Sequence, residues 1–426
     1  MVLKVNTSVF FLLIKLMVCY SRHLQATINP TIGAPWPMPQ KYSPSNKVYM
    51  LDESTFRFEA TGETCDILTS AFDRYKQIIF DTTFRFQPKH GTDTENALTV
   101  ASVKVESECD RFPSLESDES YDLTVSETGI VINANAVWGA LRGLETFSQL
   151  IVNKYFINGT TITDFPRFMH RGMLIDTSRH FLSVDVIKKH VEAMAQNKFN
   201  VSHWHIVDDP SAPFPEMSQK GSYPGPGHVY TASNVLDIIG YARMRGIRVI
   251  PEFDTPGHTQ SWGKGIPDLL TKCYRKGEFD GNYGPIDPSK NSTYTFLETF
   301  FRDIANTFPD QYIHLGGDEV SFGCWKSNPD ITTFMSKMSF GTSYSKLEQY
   351  YMQNLLNIIG KKLNKGYLIW QEVIDNGAMV QPDTVVEVWK RGYVEELAKI
   401  TKLGYKTLLS SCWYLNYISY GDDWRK

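Results

Sequence analysis

From residue 166 onward the chain keeps one rhythm, in which short apolar runs alternate with longer amphipathic stretches. The runs are Gly172–Ile175, Asn200–Ile206, Arg248–Phe253, Tyr312–Leu315, Tyr367–Trp370, Val385–Trp389 and Lys406–Leu409. Helix-length stretches separate most of them, at Ser183–Lys198, Ala232–Arg245, Ser292–Thr307 and Ser345–Lys362. Continuous apolar runs joined by helices predict parallel strands buried on both faces. The expected fold class is therefore α/β, with a (β/α) TIM-type barrel over 166–426. Polar and aromatic residues gather where the runs end. Asp176 and Arg179 follow the first run, Asp208 and Asp209 the second, Asp254 and His258 the third, and Asp318 with Glu319 the fourth. Trp370, Gln371 and Glu372 close the fifth, Trp389 the sixth, and Trp413 with Tyr414 follow the seventh. In a parallel barrel these ends face one mouth, where barrel enzymes carry their active sites.

Residues 27–165 read differently. Short alternating runs such as Tyr121–Val125 and Ile130–Ile132 mix with helix-like stretches at Ile67–Phe80 and Ala136–Leu150. This predicts a smaller α+β domain ahead of the barrel. Before it, Lys4, the apolar stretch Val9–Tyr20 and the polar, small-residue stretch to Ala26 predict a signal peptide over 1–26. No later segment approaches the roughly 18 apolar residues of a membrane span, so a stable membrane anchor is not expected.

Composition narrows the function classes. Apolar residues make up 42% and charged residues 21%, the usage of an ordinary globular protein. The net charge of −4 gives no electrostatic reason to expect nucleic acid as a partner. Aromatic residues, at 13%, fit sugar binding because sugar faces stack on rings, but on composition alone their first expected place is the core. Of six cysteines, Cys19 falls in the predicted signal, and Cys65, Cys109, Cys273, Cys324 and Cys412 remain. Two disulfides and one free thiol are the simplest account in an oxidising compartment. Glycosylation triplets begin at Asn158 and Asn291 in polar, turn-like stretches. Asn200 also opens one, in an apolar run where burial would prevent modification, and Asn6 falls inside the signal.

Three Asp-Glu pairs occur, and context separates them. Asp52-Glu53 and Asp118-Glu119 sit among polar residues and are expected on a solvated surface. Asp318-Glu319 follows an apolar strand and two glycines, which let backbone or ligand approach closely. Strand alternation would point its two carboxylates to opposite sides, and a negative neighbour would raise one carboxyl into the range of an acid catalyst. His203-Trp204-His205 with Asp208 could suggest a metal, but a hydrogen-bonding role is the expected one, and no metal or cofactor is predicted. Trp370, Trp389, Trp413 and Tyr414 at one mouth suggest the walls of a sugar pocket.

These segments carry a specific resemblance. RGMLIDTSRHF, NKFNVSHWHIVDDPS, EFDTPGHTQSWG, HLGGDEV, CWKSNP, IWQEV, VWK and WYLN run in order from about residue 165 to the end. The chain resembles the β-N-acetylhexosaminidases of glycoside hydrolase family 20, close to the animal lysosomal subunits. GALRGLETFSQL resembles the small domain that precedes the barrel there. The resemblance implies an exo-acting enzyme that removes terminal GlcNAc or GalNAc from glycans, glycoproteins and glycolipids. It implies a substrate-assisted retaining mechanism, an exception to the two-carboxylate scheme. Glu319 would protonate the leaving oxygen and then activate water, and Asp318 would hold the acetamido N–H. Arg179 and Asp208 match positions that hold sugar hydroxyls, and His258 a position near the acid. Trp370 and Trp389 match pocket walls, Tyr414 the partner of the acetamido oxygen, and Asn416 a further substrate-binding position. Cys65–Cys109 and Cys273–Cys324 match the family's disulfides. A dimer with itself or a homologous subunit, in the lysosome or secreted, is implied as well.

The sequence also departs from the family pattern. Asn416-Tyr417 and Arg391 stand where one subunit type serving anionic substrates differs, so neutral hexosaminides are the expected substrates. No counterpart of the family's glycine-rich strand with a further Trp and Glu occurs up to Lys426. The expectation is a (β/α)8-type barrel lacking its last strand–helix unit. The alternative to an active enzyme is then a catalytically impaired homologue that binds sugar or depends on a partner subunit.

Overall fold

A computed structural model describes residues 34–80, 97–152, 155–206, 213–223, 227–411 and 413–414. The N-terminal part is a mixed sheet of β1 (Lys41–Met50), β2 (Arg57–Ala60), β3 (Val100–Val105), β4 (Tyr121–Ser126), β5 (Gly129–Ala134), β6 (Ile151–Val152) and β7 (Phe156–Asp164). Its order is β1-β7-β4-β5-β3-β2, with the short β6 paired to β7. β4 and β5 bury every second residue, so each contributes one face to a core. Helices Asp66–Phe80 and Val137–Leu150 cover that face, with Leu68, Trp138, Leu144 and Phe147 almost fully buried. Cys65 and Cys109 form a disulfide beside this core.

The second sheet is parallel, in the order β16-β15-β14-β13-β10-β9-β8. Its strands are β8 (Gly172–Asp176), β9 (Val201–His205), β10 (Arg248–Glu252), β13 (Tyr312–His314), β14 (Gly366–Trp370), β15 (Val385–Val388) and β16 (Lys406–Leu409). All seven predicted runs become strands, and the predicted helices lie between them. Together they make a TIM-like barrel architecture preceded by the smaller domain. A hairpin of β11 (Leu270–Arg275) and β12 (Glu278–Ile286) is inserted after β10. β9 and β10 are buried along their whole length, while the edge strands β8 and β16 are partly exposed.

The barrel interior is layered. Val201, Ile250, Tyr312, Leu368 and Val385, one from each of five strands, form an apolar cluster. Two residues further along the same strands stand His203, Glu252, His314, Trp370 and Glu387, all buried. Period-two alternation therefore stacks a polar layer directly on an apolar floor, toward the C-terminal strand ends.

Several expectations change here. Glu119, expected on a solvated surface, is 5% exposed. Its carboxylate accepts from Arg142 Nε at 3.1 Å, from Arg171, and from Asn200 Nδ2 at 2.7 Å. Burial alone would raise this carboxyl, but the two guanidinium groups hold it below its usual range. The partners come from both sheet units, so the pair is an internal pin rather than a surface charge. Asn200 is buried in that network, as its apolar setting predicted. Asn158 lies on β7 rather than in a turn, exposed, and donates to Ser45 O at 3.0 Å. Asn291 is exposed and begins helix Asn291–Thr307. The predicted signal peptide with Cys19 and Asn6, and also Cys412, lie outside the described residues.

Candidate active site

The site forms where β8, β10, β13, β14 and β15 end. β13 stops at His314, earlier than the predicted Leu315. Gly316 and Gly317 then adopt positive φ of 68° and 93°, and Glu319 follows at 51°. A side chain at Gly316 would meet Asp254 Oδ1 at 1.8 Å, so the turn requires glycine there. Strand alternation accordingly does not set the directions of Asp318 and Glu319, because both lie on the loop after the strand. That loop is pinned from beneath, since Gly317 N donates to Asp254 Oδ1 at 2.9 Å. Beyond it, the Cys273–Cys324 disulfide ties helix Gly323–Ser327 to the β11–β12 hairpin.

The two adjacent carboxylates occupy opposite environments. Glu319 has a side chain 55% exposed, whereas that of Asp318 is 15% exposed. Asp318 Oδ1 has no hydrogen-bond partner among the described residues. Burial, reinforced by the negative charge of Asp254, pushes the Asp318 carboxyl up to about 9. The negative neighbour is thus Asp254, not the sequence-adjacent Glu319.

His258 links these groups. Its Nδ1 is bonded to Asp254 Oδ2, and its Nε2 stands 3.5 Å from Glu319 Oε2. The bond to Asp254 outweighs burial and raises the imidazole to about 9, so it is cationic at neutral pH. Asp176 receives Arg179 Nη1 at 2.5 Å and His205 Nδ1 at 3.1 Å. Burial would raise Asp176, but the His205 bond and then the Arg179 contacts hold it well below the carboxylate range. Burial opposes the charge of Arg179, and its bond to Asp176 favours it, so the guanidinium is held beside the end of β8.

Aromatic residues stand at or just after the ends of β14, β15 and β16. Trp370 is buried and donates Nε1–H to Glu252 Oε1 at 2.8 Å. Half-buried Trp389 donates to Glu372 Oε2 at 3.0 Å, and Lys390 Nζ reaches the same carboxylate at 2.8 Å. Tyr414, 43% exposed, has its hydroxyl pushed up to about 12 by burial and then by Glu387 and Asp318. Trp413 is largely exposed. His203 Nε2 is 2.7 Å from Glu252 Oε2, so His203 and His205 each pair with a carboxylate. The sets His203–Glu252–His314, His205–Glu252–Asp254 and Asp254–His258–Asp318 each bring possible ligand atoms within 4.8 Å, and His203–Glu252 in the first and His258–Asp254 in the third are bonded directly. Asp208 and Asn416 lie outside the described residues.

Comparison with known proteins gives this arrangement its context. Residues 168–425 match the glycosyl hydrolase family 20 catalytic domain, and 35–150 match a domain described as beta-acetyl hexosaminidase like. The chain belongs to glycosyl hydrolase family 20. This family 20 chain is 52% identical to human beta-hexosaminidase subunit beta, over 92% of this chain and 73% of the relative. It is 48% identical to the bovine subunit alpha, over 96% of this chain and 80% of that one. Among solved structures it is similar to a Flavobacterium johnsoniae chitobiase, with a TM-score of 0.77 and 30% identity. That match covers 90% of this chain, which spans 60% of the chitobiase chain. A Streptomyces plicatus N-acetyl-beta-hexosaminidase shares the fold, with a TM-score of 0.68 and 22% identity over 90% of this chain and 75% of that one.

Within the polar layer of this family 20 barrel, Glu252, His314 and Glu387 were not among the expected site residues. Glu387 sits in an otherwise apolar strand and Glu252 ends one whose other charge is Arg248, each two positions after an apolar floor residue. A charge inside a run expected to be buried on both faces was the available signal.

Proposed function

We propose that this chain is an exo-acting β-N-acetylhexosaminidase that hydrolyses terminal non-reducing GlcNAc or GalNAc by a substrate-assisted retaining mechanism. The observation that carries the reading is the contrast between the two carboxylates. Asp318 is part-buried with a buried, unpartnered Oδ1, and Glu319 is exposed with His258 at 3.5 Å. The Glu319 carboxylic acid gives its proton to the glycosidic oxygen. The substrate's 2-acetamido carbonyl attacks C1 as that bond breaks, and an oxazolinium ion forms. Glu319, now a carboxylate, takes a proton from water, which attacks C1 and reopens the ring with retained configuration. Asp318 accepts the acetamido N–H and faces the positive charge that grows there. In the empty site burial disfavours its anion. The interaction therefore strengthens as the cation develops, which stabilises the transition state more than the ground state.

Arg179 and Asp208 hold sugar hydroxyls in this reading. Tyr414 donates to the acetamido oxygen, Trp370 and Trp389 enclose its methyl, and Asn416 binds beside them. The domains divide at 165/166, with the α+β unit 27–165 supporting the barrel unit 166–426. The substrates are neutral glycans, glycoproteins or glycolipids, and the scheme needs no cofactor. The names of the relatives, subunits alpha and beta, support pairing with itself or a homologous subunit. Two disulfides support an oxidising setting, lysosomal or secreted, and no described helix is long and apolar enough to cross a membrane. Hydrolysis of a chromogenic GlcNAc glycoside by the chain and by Glu319→Gln tests the reading. A loss of about 10² to 10⁴ in kcat is expected, and equal rates remove Glu319 from the acid role.

A further inference from the structure

Glu252 ends β10 inside the barrel and is 1% exposed. A carboxylate so placed must be fully partnered, because an unpaired buried charge is strongly unfavourable. Its two oxygens divide the task. Oε2 meets His203 Nε2 at 2.7 Å, and Oε1 accepts the Trp370 indole N–H at 2.8 Å. The Trp370 ring also packs on His314 with centroids 4.8 Å apart, and lies 6.0 Å from the His203 ring. Ring packing alone leaves an indole free to flip or slide in its plane. A directed bond from Nε1 to a fixed carboxylate removes that freedom.

The same strand end reaches the catalytic loop. Two residues beyond Glu252, Asp254 receives Gly317 N and His258 Nδ1. One short segment thus sets both the loop that carries Asp318 and the orientation of Trp370. The arrangement recurs just past the end of β14, where the buried Glu372 carboxylate receives Trp389 Nε1. We infer that Glu252 is a positioning residue, whose carboxylate fixes the Trp370 indole at the angle that receives the substrate's 2-acetamido group. This rests on the reading of Trp370 as a wall of that pocket. The competing role is charge compensation alone, with Glu252 serving only to balance the histidines around it.

Two conservative substitutions pull these roles apart. Glu252→Gln removes the charge but keeps an oxygen at the length needed to accept the indole N–H. Its amide N–H then faces His203 Nε2, which accepts in the other neutral tautomer. Glu252→Asp keeps the charge but withdraws the carboxylate by one methylene, away from Trp370. Positioning predicts that the glutamine variant performs better, and charge compensation predicts the reverse.

The experiment measures the Kd of a GlcNAc-thiazoline-type inhibitor, whose methyl occupies the acetamido pocket, on the full chain and its variants. Trp370→Phe, which deletes the N–H donor, is expected to weaken binding about tenfold. Glu252→Asp should weaken it to a similar degree, and Glu252→Gln should stay within about threefold of the parent. Glu252→Asp combined with Trp370→Phe should be no weaker than either alone, because the bond can be lost only once. Full affinity in Glu252→Asp, or additive losses in the double variant, overturns the proposal. If Trp370→Phe itself binds with full affinity, the pocket reading fails instead. Should Glu252→Asp fail to fold, a tenfold loss in Glu252→Gln while Trp370→Phe also loses tenfold, with the two losses additive, overturns the positioning role.

Discussion

His258 presents Nε2 to the Glu319 carboxylate at 3.5 Å while its Nδ1 is bonded to Asp254. The imidazole is raised to about 9 by that bond, so its charge is present through the neutral and acid range. A raised basic group stabilises the fold fully below its unfolded value of 6.5, and this contribution fades as pH climbs to about 9. The melting temperatures of the parent and His258→Gln should therefore differ most below pH 6.5 and converge toward pH 9. A constant difference across that window would remove the linkage. The same substitution should lower kcat by about tenfold or more, with little change in KM, because it acts on proton transfer.

Asp318→Asn keeps an oxygen that can accept the acetamido N–H but loses the charge that faces the oxazolinium ion. The expected result is a fall of about 10² to 10³ in kcat, with binding of a neutral product sugar reduced far less. Parallel losses in both would place Asp318 in ground-state binding alone.

Glu387 lies in the polar layer with its carboxylate bonded to Ser410 and 3.5 Å from His314 Nε2. Burial opposes its ionisation, but His314 and His203 draw it down from 4.5 to about 2. A depressed carboxyl stabilises the fold above 4.5, and the contribution is lost as pH falls through that interval to about 2. It amounts to on the order of 3 kcal/mol. Thermal melts should hold steady from pH 7 to 4.5 and drop steeply below, and Glu387→Gln should flatten that drop. A parallel drop in the variant assigns acid sensitivity to other groups.

Glu119→Ala would leave Arg142 and part-buried Arg171 facing each other without their shared carboxylate. A loss of about 3–5 kcal/mol is expected, since breaking a buried ion pair strands its partners. Denaturant unfolding measures it, and a change below about 1 kcal/mol would mean that the pin behaves like a surface pair.

Much of this was legible in the sequence. Parallel strands buried on both faces read as apolar runs, so all seven appeared, with ends displaced by a residue or two. That His258 would meet Asp318 and Glu319 followed from the strand-end rule. The failures share one cause, which is that partners distant in sequence decide the environment. Glu119 looked solvated because its partners Arg142, Arg171 and Asn200 come from three other segments. Alternation misled at Asp318-Glu319 because the glycine turn replaces strand geometry before that pair. Asp254, two positions after the buried Glu252, is the charge that raises Asp318, and only the fold brings it there.

The central claim is that the substrate's own acetamido group is the nucleophile, with Glu319 as acid and base and Asp318 as its electrostatic partner. The direct measurement compares kcat/KM for chromogenic β-glycosides of GlcNAc and of glucose, which differ only at C2. The account predicts hydrolysis of the GlcNAc glycoside and, for the glucoside, a rate lower by about 10⁴ or more, the effective molarity of the built-in nucleophile being lost. Comparable rates on the two glycosides would contradict it, because a protein nucleophile would then be performing the attack.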